Sequence, residues 1–346
     1  MRLFASRRGR VRRHLRETFA WRKSELEVWH GVKFALDTCV PALGGLLMGQ
    51  PALGFIGALA GSLFSFSDLP NPLGIRLMRL VEMTAAMLVF GVVGYFLGAH
   101  SPIFWGVLMA LVFGAGWLQL VAHSYASPLR WGAIALVSTA GLPGATWSLA
   151  GMVLVAGGVN ALTRSAGDRF FHEAAPVVPP VADVGERSRR QKIRFCFAYA
   201  LAAVMALVIG QSRGLTHPMW ITTTTLLVMQ PDALTSFDRI IQRVSGTALG
   251  VGAAAGTVAL FHSEWPLFGA IVVLSYALPY AATRNYWLQT TLFSWLILVL
   301  YDFASTTHFS SHLLGERLLD VTIGCLIACG AIALAFAPLR KPGSRV

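Results

Sequence analysis

The sequence predicts an all-α integral membrane protein with about twelve transmembrane helices, arranged as two six-helix parallel repeats, and no sizeable soluble domain. Three observations predict it. Of the residues, 55% are hydrophobic and only 13% charged, and the mean hydropathy is +0.62; soluble domains carry roughly 25% charged residues. Apolar stretches recur along the chain at lengths near the ~20 residues that cross a bilayer. The net charge of +12 is concentrated in clusters that abut apolar runs. Met1–Lys33 carries Arg2, Arg7, Arg8, Arg10, Arg12, Arg13, Arg16, Arg22, Lys23 and Lys33. Arg187, Arg189, Arg190, Lys192 and Arg194 lie mid-chain, and Arg340, Lys341 and Arg345 at the end. That placement is where the positive-inside rule puts basic residues, and it disfavours nucleic acid as a partner.

Taken in order, the spans of the first half fall at 32–49, 52–67, 75–98, 102–121, 129–142 and 145–163. Those of the second half fall at 193–210, 217–230, 238–261, 265–282, 285–303 and 313–337. The spans at 52–67, 129–142 and 217–230 are short, and 52–67 and 217–230 are rich in Gly, Ser and Thr. Such segments are expected inside the bundle, bordering a pathway, rather than against lipid. The domain boundaries follow: 1–31 is a basic cytoplasmic arm, 32–163 the first repeat, 164–192 a cytoplasmic linker, 193–337 the second repeat and 338–346 a cytoplasmic tail. The loops "GAHS" and "FASTTHFSSH" carry no Lys or Arg, and "GQSRGLTH" carries only Arg213, so these face outward and both termini inward. The arm is expected to remain cytoplasmic rather than to act as a cleaved leader.

The halves share a pattern. Moving the second half back by 163 positions sets Arg239 on Arg76, Val244 on Val81, Thr247 on Thr84 and Ala248 on Ala85. In each half a short polar span is followed by an acidic loop (Asp68, Asp232) and a long span that opens with arginine.

Charged residues on apolar helices are the candidate functional groups, because a charge at the middle of a membrane helix costs on the order of 3 kcal/mol. Arg239, Arg243, Gly246 and Gly250 project within about 60° of one another on a helix. This stripe reads either as an anion-collecting face beside a groove, with Arg76 contributing from the other half, or as interfacial anchors with a small-residue packing seam. Planar guanidinium groups suit carboxylates. Arg317 and Asp320 share a face and read as a structural or gating ion pair. Arg79 and Glu82 are spaced to pair in the same way. Asp37 reads as a proton carrier or as an ion-pair partner of Lys33, and Asp238 is a second candidate for proton coupling. Thr223 and Thr224, in "ITTTTLLV", are candidate pathway hydroxyls, with back-bonding to the helix as the alternative. His308 and His312 have metal-ligand spacing but lack a third ligand, and Cys39, Cys196, Cys325 and Cys329 show no metal or disulfide pattern. No cofactor is expected.

The stretch "HPMWITTTTLLVMQPDALTSFDRIIQRVSGTALGVGAAAG" resembles the signature region of the fusaric-acid-resistance (FUSC) superfamily of membrane transporters. The resemblance lies in the Trp of "MW", in "QPD" and in the R-x-x-G-T-x-x-G of Arg243, Gly246, Thr247 and Gly250. "ERLLDVTIGCLIA" resembles the final span of the same family, and the clear likeness covers roughly residues 190–340. It implies a bacterial inner-membrane transporter that exports organic anions, aromatic carboxylic acids above all, using the proton gradient and a periplasmic adaptor protein. Plant relatives include aluminium-activated malate channels. Large exporters of the group carry substantial cytoplasmic domains between and after the membrane halves, where this chain has a short linker and tail. A homodimer is a further expected assembly. A passive anion channel, a membrane enzyme and a non-transporting scaffold are the competing readings; no catalytic cluster or nucleotide-binding loop is visible in the sequence.

Overall fold

A computed structural model describes residue 19 and residues 28–69, 71–122, 125–140, 147–171, 187–261, 263–305 and 311–336. Among the described residues there are twelve helices and no strand. The first six are α1 (Val28–Leu47), α2 (Pro51–Phe66), α3 (Leu73–Leu97), α4 (Pro102–Val121), α5 (Ala126–Thr139) and α6 (Trp147–Phe170). The others are α7 (Arg189–Ser212), α8 (Met219–Val228), α9 (Ala233–Leu260), α10 (Glu264–Arg284), α11 (Tyr286–Ala304) and α12 (Ser311–Phe336). Each expected span therefore coincides with a helix. Seven of these (α3, α4, α6, α7, α10, α11 and the part of α12 from Leu313) are long and apolar enough to cross a membrane.

The helix starts follow local chemistry. Proline opens α2 and α4, where the missing N–H costs nothing. Ser188 and Gln191 form a capping box at the start of α7. Asp232 caps α9 by accepting a 2.8 Å bond from the Thr235 amide.

The major helix pairings of α1–α6 have counterparts six elements later. α1 packs on α2 as α7 does on α8, α2 on α6 as α8 on α12, and α3 on α5 as α9 on α11. Between the halves α4 meets α7 and α10 meets α1, while α2 meets α11 and α5 meets α8. Glycine makes the closest of these approaches possible. A Cβ at Gly246 or Gly250 would run into the Trp287 or Thr291 carbonyl of α11. These two glycines therefore line a packing seam that α11 fills, so the open groove entertained for this stripe is absent at their level. Gly246→Leu and Gly250→Leu are each expected to lower stability by about 1–3 kcal/mol, the usual cost of overpacking. Thermal unfolding in detergent measures this, and an unchanged Tm would rule the seam out.

α8 is the shortest of the described helices. It ends after ten residues, about 15 Å at 1.5 Å per residue, and the chain continues through buried Met229 and Gln230 in extended form. Irregular backbone that is buried needs internal partners. The Gln230 amide donates to Ser236 Oγ at 2.9 Å, and Gln230 Nε2 donates to the Leu227 and Met229 carbonyls at 3.2 and 3.0 Å.

Candidate functional site

A cavity of about 580 Å³ opens among α2, α3, α5 and α6, with a wall supplied by the second half. Phe55, Ile56 and Leu59 line it from α2, Met87, Leu88 and Tyr95 from α3, and Ile134, Ser138 and Thr139 from α5. Phe96 and Trp147, both largely exposed, stand at its edge. The size lies within the roughly 300–1,000 Å³ of small-molecule sites, and the mostly apolar, partly aromatic lining with a few polar groups is their usual character. Thr139 spends its hydroxyl on the Gly91 carbonyl at 2.7 Å. The second half contributes His217, Met219 and Tyr301.

His217 precedes α8 and faces a polar chain. Its Nε2 shares a 2.6 Å hydrogen bond with the Tyr301 hydroxyl, and its Nδ1 lies 3.8 Å from Glu316 on α12. The ring also stacks on Trp220, with centroids 4.4 Å apart. Trp220 carries the guanidinium of Arg317 at 4.7 Å from its ring centre, a cation–π contact. Behind that layer lie Arg243 from α9 and Asp320 from α12, both in electrostatic range of Arg317. Arg243 and Arg317 are each 3% exposed and Asp320 0%, yet both arginine Nε atoms and both Asp320 oxygens lack a hydrogen-bond partner. Arg317 thus turns to Trp220, and Asp320 accepts no hydrogen bond from it, which departs from the expected ion pair.

The first half encloses a different charge cluster. Arg76 on α3 holds Asp68 with two bonds, Nε to Oδ1 at 2.9 Å and Nη2 to Oδ2 at 2.6 Å. Lys33 donates to Asp68 Oδ2 at 2.8 Å, and Arg164 lies 3.4 Å from Oδ1. Burial alone would raise the Asp68 pKa; the three cations outweigh it and hold the carboxyl well below the usual range. Lys33 therefore bonds Asp68 rather than Asp37. Asp37, 0% exposed, accepts instead from Ser65 and, at 2.7 Å, from Thr163. Arg164 also donates to Asn160 Oδ1, the Arg76 carbonyl and the Phe64 carbonyl, at 2.8, 2.8 and 2.9 Å.

The remaining sequence-level candidates are scattered. Arg239 is half-buried over the Tyr286 ring at 5.0 Å, and Asp238 is half-buried beside it on α9. Thr223 bonds back to the Met219 carbonyl at 2.8 Å, whereas the buried Thr224 hydroxyl has no hydrogen-bond partner, and the Cβ and methyl of Thr224 pack against Gly324 of α12. Arg79 lies 4.0 Å from Glu82 and covers the Tyr125 ring. His308 lies outside the described residues, as does the His312 side chain. Sequence reasoning overlooked His217, Tyr301, Glu316 and Arg164. Only Arg164 had a local signal: Met152, Ala156, Asn160 and Arg164 recur every four residues along the buried face of α6.

Residues 202–331 match the family described as "Fusaric acid resistance protein-like". A stretch of 153 residues, 42% of this chain, is 29% identical to the Escherichia coli (strain K12) protein named "Inner membrane protein YccS". That match spans only 18% of the relative's own length. No solved structure matches. The matched segment holds Trp220, Arg243, Arg317 and Asp320 together with the Gly246–Gly250 seam. The likeness read from the residues is borne out there: residues 202–331 of this multi-pass helical membrane protein are similar to the family described as fusaric acid resistance protein-like.

Proposed function

We propose that the protein is an inner-membrane secondary transporter that exports organic anions, aromatic carboxylic acids in particular. The observation that carries this reading is the aromatic-lined cavity of about 580 Å³ whose polar wall leads through His217 and Trp220 to two buried arginines. An apolar chamber accepts the ring of an aromatic acid, and a guanidinium suits its carboxylate. Arg243 is the binding arginine in this reading, with Arg239 at the mouth of α9. Arg76, tied to Asp68, contributes positive potential rather than a direct contact. Asp37, buried within α1, and Asp238 are the carboxylates assigned to proton coupling.

In the same reading the helices cross as two parallel six-helix repeats, with α8 and its extended continuation together making one crossing. Both termini are cytoplasmic. The matched pairings six elements apart and the distribution of Lys and Arg support it. The orientation is tested by maleimide labelling of intact cells. A Ser101→Cys variant should react from outside and Ser188→Cys only after permeabilisation; reaction of Ser188→Cys in intact cells refutes the topology. The function is tested in proteoliposomes preloaded with radiolabelled benzoate. Protein-dependent efflux that saturates with benzoate concentration is expected, and efflux no faster than from protein-free liposomes refutes the transport reading.

A further inference from the structure

We propose that Arg317, Arg243 and the Thr224 hydroxyl form a buried binding site for the substrate carboxylate between α8, α9 and α12, with Asp320 as the negative charge that competes for it. This deepens the transport reading and rests on it for the identity of the ligand. Arg317, Asp320 and Thr224 are all buried, and each leaves polar atoms without hydrogen-bond partners. Buried polar groups are nearly always paired, so a cluster of orphans on three facing helices marks a place where something else supplies the bonds. The charges specify what. Two guanidinium groups in electrostatic range repel, and an anion placed between them removes that repulsion. Thr224, whose Cβ and methyl pack on Gly324 one turn beyond Asp320, adds a buried hydroxyl with no hydrogen-bond partner.

The route to this site starts at the cavity. His217 lines the cavity and stacks on Trp220, and Trp220 covers Arg317. The indole occupies the face of the guanidinium as a neutral placeholder. When it moves aside, Arg317 presents its charge toward the chamber, and an aromatic acid can leave its ring among Phe55 and its neighbours while its carboxylate reaches the arginine. The ligand class is a monocarboxylate on an aromatic ring. An uncharged aromatic alcohol offers nothing to the arginines, and chloride lacks the second oxygen that a guanidinium fork engages.

Two neighbouring substitutions should act in opposite directions. The full chain, purified in detergent, is titrated with benzoate by calorimetry, with benzyl alcohol and chloride as controls. Arg317→Gln is expected to weaken benzoate binding by roughly ten- to a hundredfold, the worth of a charge-assisted contact. Asp320→Asn is expected to strengthen it by roughly threefold or more, because a nearby repelling charge is gone. Arg317→Lys should fall between wild type and Arg317→Gln. Thermal melts establish that each variant is folded. A structural role would instead weaken binding in both variants in step with lost stability. Wild-type affinity in Arg317→Gln overturns the site, as does a loss in Asp320→Asn or a wild-type chain that binds no benzoate. Chloride displacing benzoate as an equal competitor overturns the carboxylate assignment. Benzoate binding with the expected opposite effects but no flux in proteoliposomes overturns the transport reading and leaves the site standing. Flux with unaltered binding in Arg317→Gln does the reverse.

Discussion

Asp68→Asn is expected to destabilise the protein by about 3–5 kcal/mol, the cost of removing one partner from a buried ion cluster. Asp68 is faced by Lys33, Arg76 and Arg164, which reach it from α1, α3 and α6. The amide keeps the shape but removes the negative charge that faces three buried cations. Arg76→Gln should cost less, because Lys33 and Arg164 still face the carboxylate. The order of the two effects separates charge compensation from simple packing, which would make the larger arginine truncation the worse of the pair. The pH dependence has a definite sign. The folded pKa of Asp68 lies below its ordinary value of 3.8. Its contribution is therefore fully present above that value and lost as pH falls through the folded pKa. Stability from this group should be flat from neutral pH down to about pH 5 and decline only in stronger acid. Denaturation in mild detergent at several pH values checks both statements; equal stability of Asp68→Asn and wild type at neutral pH would refute them.

Arg243→Gln is expected to reduce organic-anion flux roughly ten- to a hundredfold, because a partly shielded arginine–carboxylate contact is worth about 1.5–3 kcal/mol and about 1.4 kcal/mol corresponds to a factor of ten. Arg243→Lys keeps the charge and loses the planar fork, so an intermediate loss is expected. The alternative is that Arg243 only anchors its helix. The seam residues distinguish the two, since Gly246 and Gly250 meet α11 backbone while Arg243 lies in range of Arg317 on α12. Damage to packing should lower protein level and Tm together, as expected for Gly250→Leu. Loss of an anion site should lower flux per folded molecule. Normal flux per molecule in Arg243→Gln would leave the arginine as an anchor.

The helices were legible because hydropathy and span length report directly on burial in lipid: the span expected at 102–121 is α4 from Pro102 to Val121. Ends were less legible where a helix runs on into polar sequence. α6 continues to Phe170, past the linker boundary drawn at 163, and buries Arg164. "TRSAGDRF" looks like a loop by composition, but Arg164 within it is held by two backbone carbonyls and Asn160 that only the tertiary fold supplies. The partners of charges were least legible. Spacing along one helix suggested Lys33 with Asp37 and Arg317 with Asp320. The fold offers Lys33 an anion 35 residues away, and Arg317 an aromatic ring from another helix. The cavity wall was invisible for the same reason: His217, Tyr301 and Glu316 come from three separated segments, and nothing in their local sequence links them.

The glycine seams also constrain how the molecule can move. Along α9 and α11, Gly246 and Gly250 sit against the opposing backbone, and Thr257 accepts a 2.8 Å bond from Trp295 further along the same pair. α3 and α5 are joined likewise, by Gly94 against the Leu136 carbonyl, Gly132 against Phe90 and the Thr139 bond to Gly91. α1 and α2 meet through Gly45 against Gly54 and Gly61 against the Asp37 carbonyl. Backbones this close cannot slide past one another by a fraction of a turn without collision. Each of these helix pairs is therefore a stiff mechanical unit. The cavity takes walls from all three, α2 of one, α3 and α5 of another and α11 of the third, beside α6 and α8, so a change in its volume is a displacement between stiff two-helix levers rather than the bending of any single rod.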